Sequence, residues 1–426
     1  IKYINCYKKN YLTLLNNLLF NKNKVDQKIL KVVEKIIRDL KKNGDKALIK
    51  YEKKLSKNST IKPNKKAINK SILSLDSKIK KAIDFSYSRI LKFHSNQKVK
   101  NINYKDHLKN IINYKFVPLD SVGIYVPGGN ASFPSTLMMN AIPAIISGVK
   151  RIVLVNPTKD GKQSPGVLYA AKKCGIKEIY SVGGAQAIAA LAYGTKKIKK
   201  VDKIVGPGNI YVSYAKKKVF GEVGIDMIAG PSEITVVGDK NSNPKWIAAD
   251  LIAQAEHDIN SQCILISKDF KLIKNVKRFI KEQINILPRK KIAKESLKKN
   301  GLFIHSTSDK KIIDIVNLIA PEHLELNLKN SNKIAKQIKN AGSICLGKYS
   351  AMAATDYNVG SNHILPTNSS AKFSSGLSVY DFYKRISVIN LSKKGIETIG
   401  EQVIKLANYE GLVGHARSVE VRIRRK

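Results

Sequence analysis

The sequence contains few cysteines and no long apolar run. Its four cysteines, in 426 residues, lie far apart and form no CxxC pair, so neither a disulfide framework nor a thiolate zinc cluster is predicted. No apolar run approaches the roughly 20 residues that a membrane span needs. The amino-terminal residues also lack the apolar stretch and cleavage site of a secretory signal. We therefore expect a cytoplasmic protein that contacts no membrane.

Acidic residues are also scarce. The 32 Asp and Glu stand against 77 Lys and Arg, which gives a net charge of +45 and raises the question of a nucleic-acid partner. The lysines are spread over nearly every polar segment, and no aromatic residues alternate with them as they do where bases stack. We therefore expect no specific nucleic-acid partner, only a weak and salt-sensitive affinity for polyanions.

The apolar pattern divides the chain into a helical start and two α/β stretches. Apolar residues recur at helical spacing between Val25 and Asn43, with Gly44 as the predicted stop. From about Val122, strand-like runs alternate with helical patterns, which predicts parallel strands joined by right-handed crossovers. The predicted fold is α/β, with two Rossmann-like doubly wound units and helical extensions at both ends.

The expected domain boundaries follow these changes of pattern. Residues 1–24 are predicted to form a helical segment, and residues 376–426 a helical tail. Between them we expect a discontinuous first α/β domain, residues 25–122 and 232–375, and a second Rossmann-like domain, residues 123–231.

Three glycine-rich turns follow strand-like runs in the second of these domains. They are GIYVPGGN at 123–130, EIYSVGGAQ at 178–186 and KIVGPGN at 203–209. Glycine at the end of a strand lets the backbone approach a phosphate, and the next helix supplies N–H groups and a positive dipole. None has GxGxxG spacing, so each turn taken alone favours a tight βα connection over a nucleotide site. The three together, with Gln186 and Asn209 at the starts of helices, favour a nucleotide-binding edge.

Histidine is scarce, with seven in the chain, and two helical or turn motifs combine it with other donors. Gln254 and His257 are three apart on a predicted helix, so they share a face and could hold one ion, unless that face is simply polar. Glu322 and His323 lie side by side after Pro321. A carboxylate beside an imidazole suits proton transfer near neutral pH, although a solvated loop pair has the same sequence.

Two further motifs lie towards the end of the chain. Asp356 precedes an aromatic residue and a glycine turn, with His363 seven residues later; such an aspartate is otherwise a turn or cap residue. Glu410 and His415 flank a glycine-containing turn in the tail, which is otherwise a polar chain end. Zn²⁺ accepts carboxylate, imidazole and amide oxygen together. The residues that offer these donors are Gln254, His257, Asp356 and His415.

These stretches together resemble the histidinol dehydrogenase family over almost the whole chain. The motifs that carry the resemblance are GDKAL (44–48), KFHSNQ (92–97), GIYVPGGNASFPST (123–136), MNAIPA (139–144), VGGAQAIAALAYGT (182–195), VDKIVGPGN (201–209), DMIAGPSE (226–233), DLIAQAEHD (250–258), APEHLE (320–325), DYNVGSNHILPT (356–367), FSSGLSVYDF (373–382) and EGLVGHARSVE (410–420). So many ordered motifs are specific to the family. The run SAMAAT at 350–355 departs from the family pattern, which usually has glycine before the aspartate.

The resemblance implies an NAD-using, zinc-dependent enzyme that oxidises L-histidinol to L-histidine in two steps, the last step of histidine biosynthesis. The zinc ligands it implies, one ion per subunit, are Gln254, His257, Asp356 and His415. The implied acid–base pair is Glu322 and His323. The implied NAD contacts are Tyr125, Gln186 and Asn209. The implied substrate contacts are Ser232, Gln254, His257, His323, Asp356, Glu410 and His415.

The family is a homodimer in which the tail of one subunit completes the other's site, so the resemblance implies that Glu410 and His415 act in trans. Two other functions stay open. A related zinc and NAD dehydrogenase of another small amino or sulfonated alcohol would have the same scaffold, although Ser232 and Glu410 favour histidinol. A basic nucleic-acid-binding protein on an inactivated enzyme scaffold is the other, and the dispersed lysines argue against it.

Overall fold

The computed structural model describes residues 1–20, 27–97, 99–128, 132–158 and 162–423. It divides into two compact units, a larger one of Ile1–Gln97 with Asp120–Asp381 and a smaller one of Lys98–Leu119 with Phe382–Lys426. Three positions used in the sequence predictions lie outside the described residues. They are Val25 at the predicted start of the first long helix, and Gly129 and Asn130 at the end of the first glycine turn.

The described residues contain strands and helices in nearly regular alternation after residue 120. The strands are β1 Lys2–Asn5, β2 Ile102–Lys105, β3 Ile111–Pro118, β4 Ser121–Tyr125, β5 Arg151–Val155, β6 Glu178–Tyr180, β7 Lys203–Val205, β8 Gly224–Ile225, β9 Glu233–Gly238, β10 Gln262–Ser267, β11 Leu302–His305, β12 His323–Asn327, β13 Ser343–Leu346 and β14 Tyr383–Asn390. The helices are α1 Tyr11–Phe20, α2 Gln27–Ser56, α3 Lys65–Leu73, α4 Ser77–His94, α5 Pro134–Ser147, α6 Pro165–Lys173, α7 Gly184–Tyr193, α8 Ile210–Val219, α9 Pro244–Ala255, α10 Phe270–Gln283, α11 Lys290–Asn300, α12 Asp309–Ile319, α13 Ser331–Ala335, α14 Met352–Tyr357, α15 Lys393–Tyr409 and α16 Val413–Ile423.

The larger unit contains two parallel sheets. One has the strand order β6-β5-β4-β7-β8, and the other has the order β1-β11-β10-β9-β12-β13. Apart from β1, which is added at the edge of the six-stranded sheet, the chain enters each sheet on a central strand, β4 or β9, winds to one side and then returns to the other side. This is the doubly wound order of a Rossmann-like fold. The prediction of two parallel α/β units is therefore confirmed.

The central strands are buried along their whole length and mostly apolar, because helices cover both faces of each sheet. Every residue of β4 and of β9 is buried. A parallel sheet buried on both faces gives a continuous apolar run instead of an alternating one, which is why these segments were recognisable in the sequence.

The first long helix differs from its prediction at Gly44. Its apolar positions are buried between Val33 and Leu40, as the helical spacing predicts. Gly44 interrupts the helix, with φ of 49° and ψ of −125°, but the helix resumes and continues to Ser56. Glycine adopts a positive φ at little cost because it has no Cβ. The resumed helix carries Glu52 into the core beside α7.

Each extension that the sequence predicts as helical contains helices and also a strand. The helices are α1 at the start of the chain and α15 and α16 at its end. β1 pairs in parallel with β11, and β14 pairs antiparallel with β3. Both strands form backbone hydrogen bonds with another strand far away in the chain, and the local sequence pattern does not predict them. The domain boundaries predicted from the sequence stay a prediction.

The four cysteines are free thiols, and each is buried. Burial raises the pKa of Cys263 well above its usual value, so this thiol stays protonated. Among the helices of the described segments, none has the length and apolarity that crossing a membrane requires.

Replacing Leu48 by alanine is expected to destabilise the protein, because Leu48 is fully buried in the core that α2 forms with α7 and α8. The cavity and the lost burial should lower the free energy of unfolding by about 2 to 5 kcal/mol. Val32→Ala on the same helix is the matched control. Val32 is 45% exposed, so its replacement should change stability by no more than about 0.5 kcal/mol. Urea unfolding followed by circular dichroism checks both values, and equal losses would contradict the packing described.

Candidate active site

The three glycine turns meet at the carboxyl-terminal edge of the five-stranded sheet, where they follow β4, β6 and β7. Glycine is required where they approach one another. A side chain at Gly206 would place its Cβ 2.1 Å from the carbonyl oxygen of Tyr125, and one at Gly183 would place it 2.5 Å from the Cβ of Pro157. Gly206 also has a φ of 108°. The turns therefore share one edge, at the switch point between β4 and β7 where doubly wound folds bind ligands.

The predicted cofactor contacts all lie on these turns. The Tyr125 hydroxyl accepts a hydrogen bond from the Gly184 amide at 3.2 Å, and Gln186 is buried in the first turn of α7. Burial raises the pKa of Tyr125 to about 12, so its hydroxyl keeps its proton. Asn209 caps α8, with its side-chain oxygen accepting from two amides of the first turn.

Glu52, which the sequence reasoning missed, holds the second turn from α2. It is fully buried, and its Oε1 accepts from the Gly183 amide at 2.9 Å and from Gln186 Nε2 at 2.7 Å. Burial raises its pKa. A carboxyl group here complements the positive end of α7 and takes an amide that a phosphate would otherwise use. The one signal in the sequence was a carboxylate on the apolar face of α2, one turn after Leu48.

Glu322 and His323 lie at the amino-terminal edge of the six-stranded sheet, where β12 begins. Ala320 ends α12 with φ of 48°, which turns the chain into the strand. Glu322 Oε2 accepts from the Glu233 amide of the neighbouring β9 at 2.8 Å. Glu322 Oε1 lies 3.8 Å from His323 Nε2. Both residues are buried, so the pair is not the solvated loop that the sequence left open.

Burial dominates the electrostatics of this pair. It raises the pKa of Glu322 well above its usual range, and nearby carboxylates add to the effect. It lowers the pKa of His323 to about 3, with His363 and His257 contributing through charge repulsion. His323 is therefore an uncharged imidazole at neutral pH and has a nitrogen free to accept a proton.

Asp356 reaches the same place from α14, with its Oδ1 4.0 Å from His323 Nε2. His363 fixes the backbone there, since its Nδ1 lies 2.8 Å from the carbonyl oxygen of Asp356. A carbonyl only accepts, so Nδ1 carries the hydrogen and Nε2 accepts from the Thr136 hydroxyl at 3.3 Å. Burial lowers the pKa of His363 to about 4. The sequence drew attention to His363 by its spacing but assigned it no role.

Gln254 and His257 come from the end of α9, against which α14 packs. Gln254 is 1% exposed. His257 follows it and is accessible to solvent, although the surrounding protein atoms lower its pKa. Four polar atoms in this region are buried and have no hydrogen-bond partner in the part of the chain that the structure describes. These atoms, the unpartnered set, are Gln254 Oε1, Gln254 Nε2, His323 Nδ1 and Asp356 Oδ1.

The unpartnered set is a sign that something outside the chain binds here. Each buried polar atom without a partner costs about 1 to 3 kcal/mol. Such atoms also occur elsewhere in the described residues, but these four belong to neighbouring side chains of α9, β12 and α14. Amide oxygen, imidazole and carboxylate are all donors to Zn²⁺, so the residues present fit that ion. Within the described segments, no three His, Cys, Asp or Glu side chains are grouped as a metal site on their own.

The other predicted residues are divided between the two units. Ser232 lies directly before β9, next to the Glu233 amide that holds Glu322. Glu410 follows α15, and His415 lies in the first turn of α16; both belong to the smaller unit and are exposed. The larger unit therefore contains three of the four predicted metal ligands.

A doubly wound α/β fold combines here with glycine turns at a switch point and a buried cluster of carboxylate, imidazole and amide groups. This combination is that of an α/β dehydrogenase.

Comparisons with known proteins lead to the same class of enzyme. Residues 20–423 match the family model described as histidinol dehydrogenase. The histidinol dehydrogenase of Pelagibacter ubique (strain HTCC1062) is 66% identical, with 100% of both chains covered, and that of Bacillus subtilis (strain 168) is 46% identical over 93% of both. The crystal structure of histidinol dehydrogenase from Elizabethkingia anophelis superposes with a TM-score of 0.94 at 38% identity, covering 99% of this chain and 98% of that one. The chain belongs to the histidinol dehydrogenase family, and its class is that of an NAD-dependent oxidoreductase. The family predicted from the motifs is confirmed.

Asp356→Asn is expected to change the pH dependence of stability in metal-free protein. Burial raises the pKa of Asp356 from 3.8 to about 7. The stability that this neutral carboxyl contributes is complete below pH 3.8 and is lost as pH rises through about 7. Asparagine cannot ionise, so the variant should be more stable than wild type at pH 8, by on the order of a few kcal/mol, and little changed at pH 4.

Chemical unfolding of metal-free wild type and variant at both pH values checks this. Glu295→Gln, at an exposed carboxylate on α11, is the control and should show no such difference. A stability change in Asp356→Asn that is the same at pH 4 and pH 8 would contradict the assignment.

Proposed function

We propose that this chain oxidises L-histidinol through histidinal to L-histidine with two NAD, and that it does so in the cytoplasm as the last step of histidine biosynthesis. The observation that supports this is the unpartnered set. Its atoms belong to Gln254 at the end of α9, to His323 and to Asp356, in a chain whose relatives are named histidinol dehydrogenases. A substrate with an imidazole, an amine and an alcohol offers polar groups for such a pocket.

One Zn²⁺ per subunit would be held by Gln254, His257, Asp356 and His415. When bound, the ion positions the substrate's imidazole and amino groups so that the alcohol carbon faces the nicotinamide. The donor types fit, since an amide oxygen, two imidazoles and a carboxylate are all zinc ligands. Ser232 and Glu410 complete the substrate contacts in this proposal, together with His323 and the ligands themselves.

The protein's own part in the reaction is to move protons. His323 accepts the hydroxyl proton as a hydride leaves the carbinol carbon, and it can do so because burial keeps the imidazole neutral. Glu322 then takes a proton from the water that adds to the aldehyde. Its Oε1 is 3.8 Å from His323 Nε2, so the two groups act on the same carbon. After His323 has released its first proton to solvent, the hydrated aldehyde loses a second hydride to the second NAD, and His323 accepts the hydroxyl proton.

The nicotinamide cofactor would bind along the edge formed by the three glycine turns, with Tyr125, Gln186 and Asn209 as its contacts. NAD supplies hydride acceptance, and these residues hold and orient it. Glu52 orients the Gln186 side chain because its Oε1 accepts a hydrogen bond from Gln186 Nε2 at 2.7 Å.

The smaller unit supports a proposed homodimer. It exposes many large apolar side chains, and exposed apolar surface is a common mark of a protein interface. They include Ile386, Val388, Ile389, Leu391, Ile399, Val403, Leu406, Leu412 and Val413. We propose that this unit of one subunit supplies Glu410 and His415 to the site of the other.

Two single substitutions test the separate roles of the site. His323→Asn should lower kcat strongly, by about 100-fold or more, with zinc retained, because it removes the proton acceptor. His257→Asn should instead weaken zinc binding, by about tenfold or more. Zinc content by metal analysis, with turnover of histidinol and NAD, distinguishes the two. Turnover of other amino alcohols but not of histidinol by the wild type would contradict the proposed substrate.

Mixing two inactive variants tests the shared site. His415→Asn has an intact larger unit and His257→Asn an intact tail, so a mixed dimer has one site with all four ligands. Random reassociation at equal amounts should restore about a quarter of wild-type turnover, since half the dimers are mixed and each has one intact site. Lack of any recovery, with mixed dimers shown to form by mass spectrometry, would place His415 in its own subunit's site or outside any site.

A further inference from the structure

Glu325 is a buried carboxyl group that the proposed reaction does not use. It lies on β12, is 1% exposed, and faces the start of α14. Its Oε1 accepts a hydrogen bond from the Met352 amide at 2.6 Å. Met352 is the first residue of α14, and the residue before it, Ala351, provides no side-chain cap. Glu325 thus caps the helix that carries Asp356 from 27 positions away in the chain.

Asp250, on α9, is the partner of Glu325. The two carboxyl groups share a side-chain hydrogen bond. A hydrogen bond between two carboxyl groups requires a proton on one of them, since ionised carboxylates only accept. Burial and the neighbouring negative charge raise the pKa of Glu325 far above its usual range, which favours retention of that proton at neutral pH.

Asp250, Glu325 and Met352 each lie one helical turn or two strand residues from a residue of the proposed site. Gln254 lies one helical turn after Asp250 on α9, and Asp356 lies one helical turn after Met352 on α14. His323 lies two residues before Glu325 on β12, so both side chains leave the same face of the strand. The carboxyl pair therefore connects the three elements that present the unpartnered set.

The start of α14 is held both by packing and by hydrogen bonds. The Met352 side chain is buried in the core with Ile234 and Val236 of β9. The Thr355 hydroxyl donates to the carbonyl of Met352 at 2.6 Å, which is a bond within the helix itself. His363 binds the carbonyl of Asp356 at the far end. The hydrogen bond from the Met352 amide to Glu325 is a polar contact between the beginning of the helix and the sheet.

We infer that Glu325, held by Asp250, is a positioning residue that sets the start of α14 and thereby places Asp356 against Gln254 and His323. This inference rests on the proposed function only in the identity of the ion that Asp356 binds. The geometric part concerns the chain alone: the two carboxyl groups align α9, β12 and α14 before any ligand enters.

The test compares Glu325→Gln, Glu325→Leu and Leu326→Ala. Glutamine keeps an oxygen for the Met352 amide and offers an N–H to Asp250, whereas leucine removes both bonds. Leu326 is a buried neighbour on the same strand, so its truncation destabilises the protein without touching α14 directly. Asp250→Leu, which leaves the cap but removes its partner, serves as a second variant if Glu325→Leu does not fold.

Hydrogen exchange of residues 352–357 in metal-free protein is the first measurement. Glu325→Leu, or Asp250→Leu in its place, should exchange at least about tenfold faster there than Leu326→Ala, while Glu325→Gln stays near wild type. Zinc titration is the second, and Glu325→Leu should bind zinc at least about tenfold more weakly than Leu326→Ala.

The outcomes distinguish a failure of the positioning role of Glu325 from a failure of the proposed function. Equal exchange at 352–357 in Glu325→Leu and Leu326→Ala would overturn the positioning role, as would a Glu325→Gln variant damaged as severely as Glu325→Leu. If wild-type protein binds no zinc, the proposed function fails, and the exchange comparison still decides whether Glu325 positions α14.

Discussion

Burial of polar groups without partners is the constraint on which the larger unit depends. Gln254, His323 and Asp356 all contain buried atoms that find no hydrogen bond within the described part of the chain. Such atoms oppose folding, so the surrounding structure has to hold them in place. Two hydrogen bonds contribute to this: the Glu233 amide donates to Glu322, the residue before His323, and His363 Nδ1 donates to the carbonyl oxygen of Asp356. The residues of the proposed site are thus held in place by the chain itself.

In the proposed function, the two sheets contribute residues from opposite edges. The glycine turns stand at the carboxyl-terminal edge of the five-stranded sheet, where the general rule for doubly wound folds places a ligand. Glu322 and His323 stand where β12 begins in the six-stranded sheet. The rule does not predict a site there. Backbone amides at the starts of parallel strands provide the reason: the Glu233 amide at the start of β9 donates a hydrogen bond to Glu322.

Much of the fold followed from local patterns, and the exceptions share a cause. Strands buried on both faces are continuous apolar runs, so β4 and β9 were recognisable. β1 and β14 were not, because β1 has only four residues and β14 is mostly exposed, so neither is a continuous apolar run. Gly44 was recognised as a break, yet the helix resumes because the residues after it pack on α7. Local propensity predicts an interruption, but only packing decides whether a helix continues.

For the site, the sequence by itself determined which chemical groups are available and the family to which they belong. Ordered motifs such as AQAEHD, APEHLE and EGLVGH are local and need no fold to be recognised. The tertiary structure alone decided which groups meet: that Asp356 comes within 4.0 Å of His323, that Glu52 orients Gln186, and that Glu325 caps α14. These are contacts between residues far apart in the chain. Periodicity records only whether a residue faces the core, and it contains no information about which distant residue it will touch there.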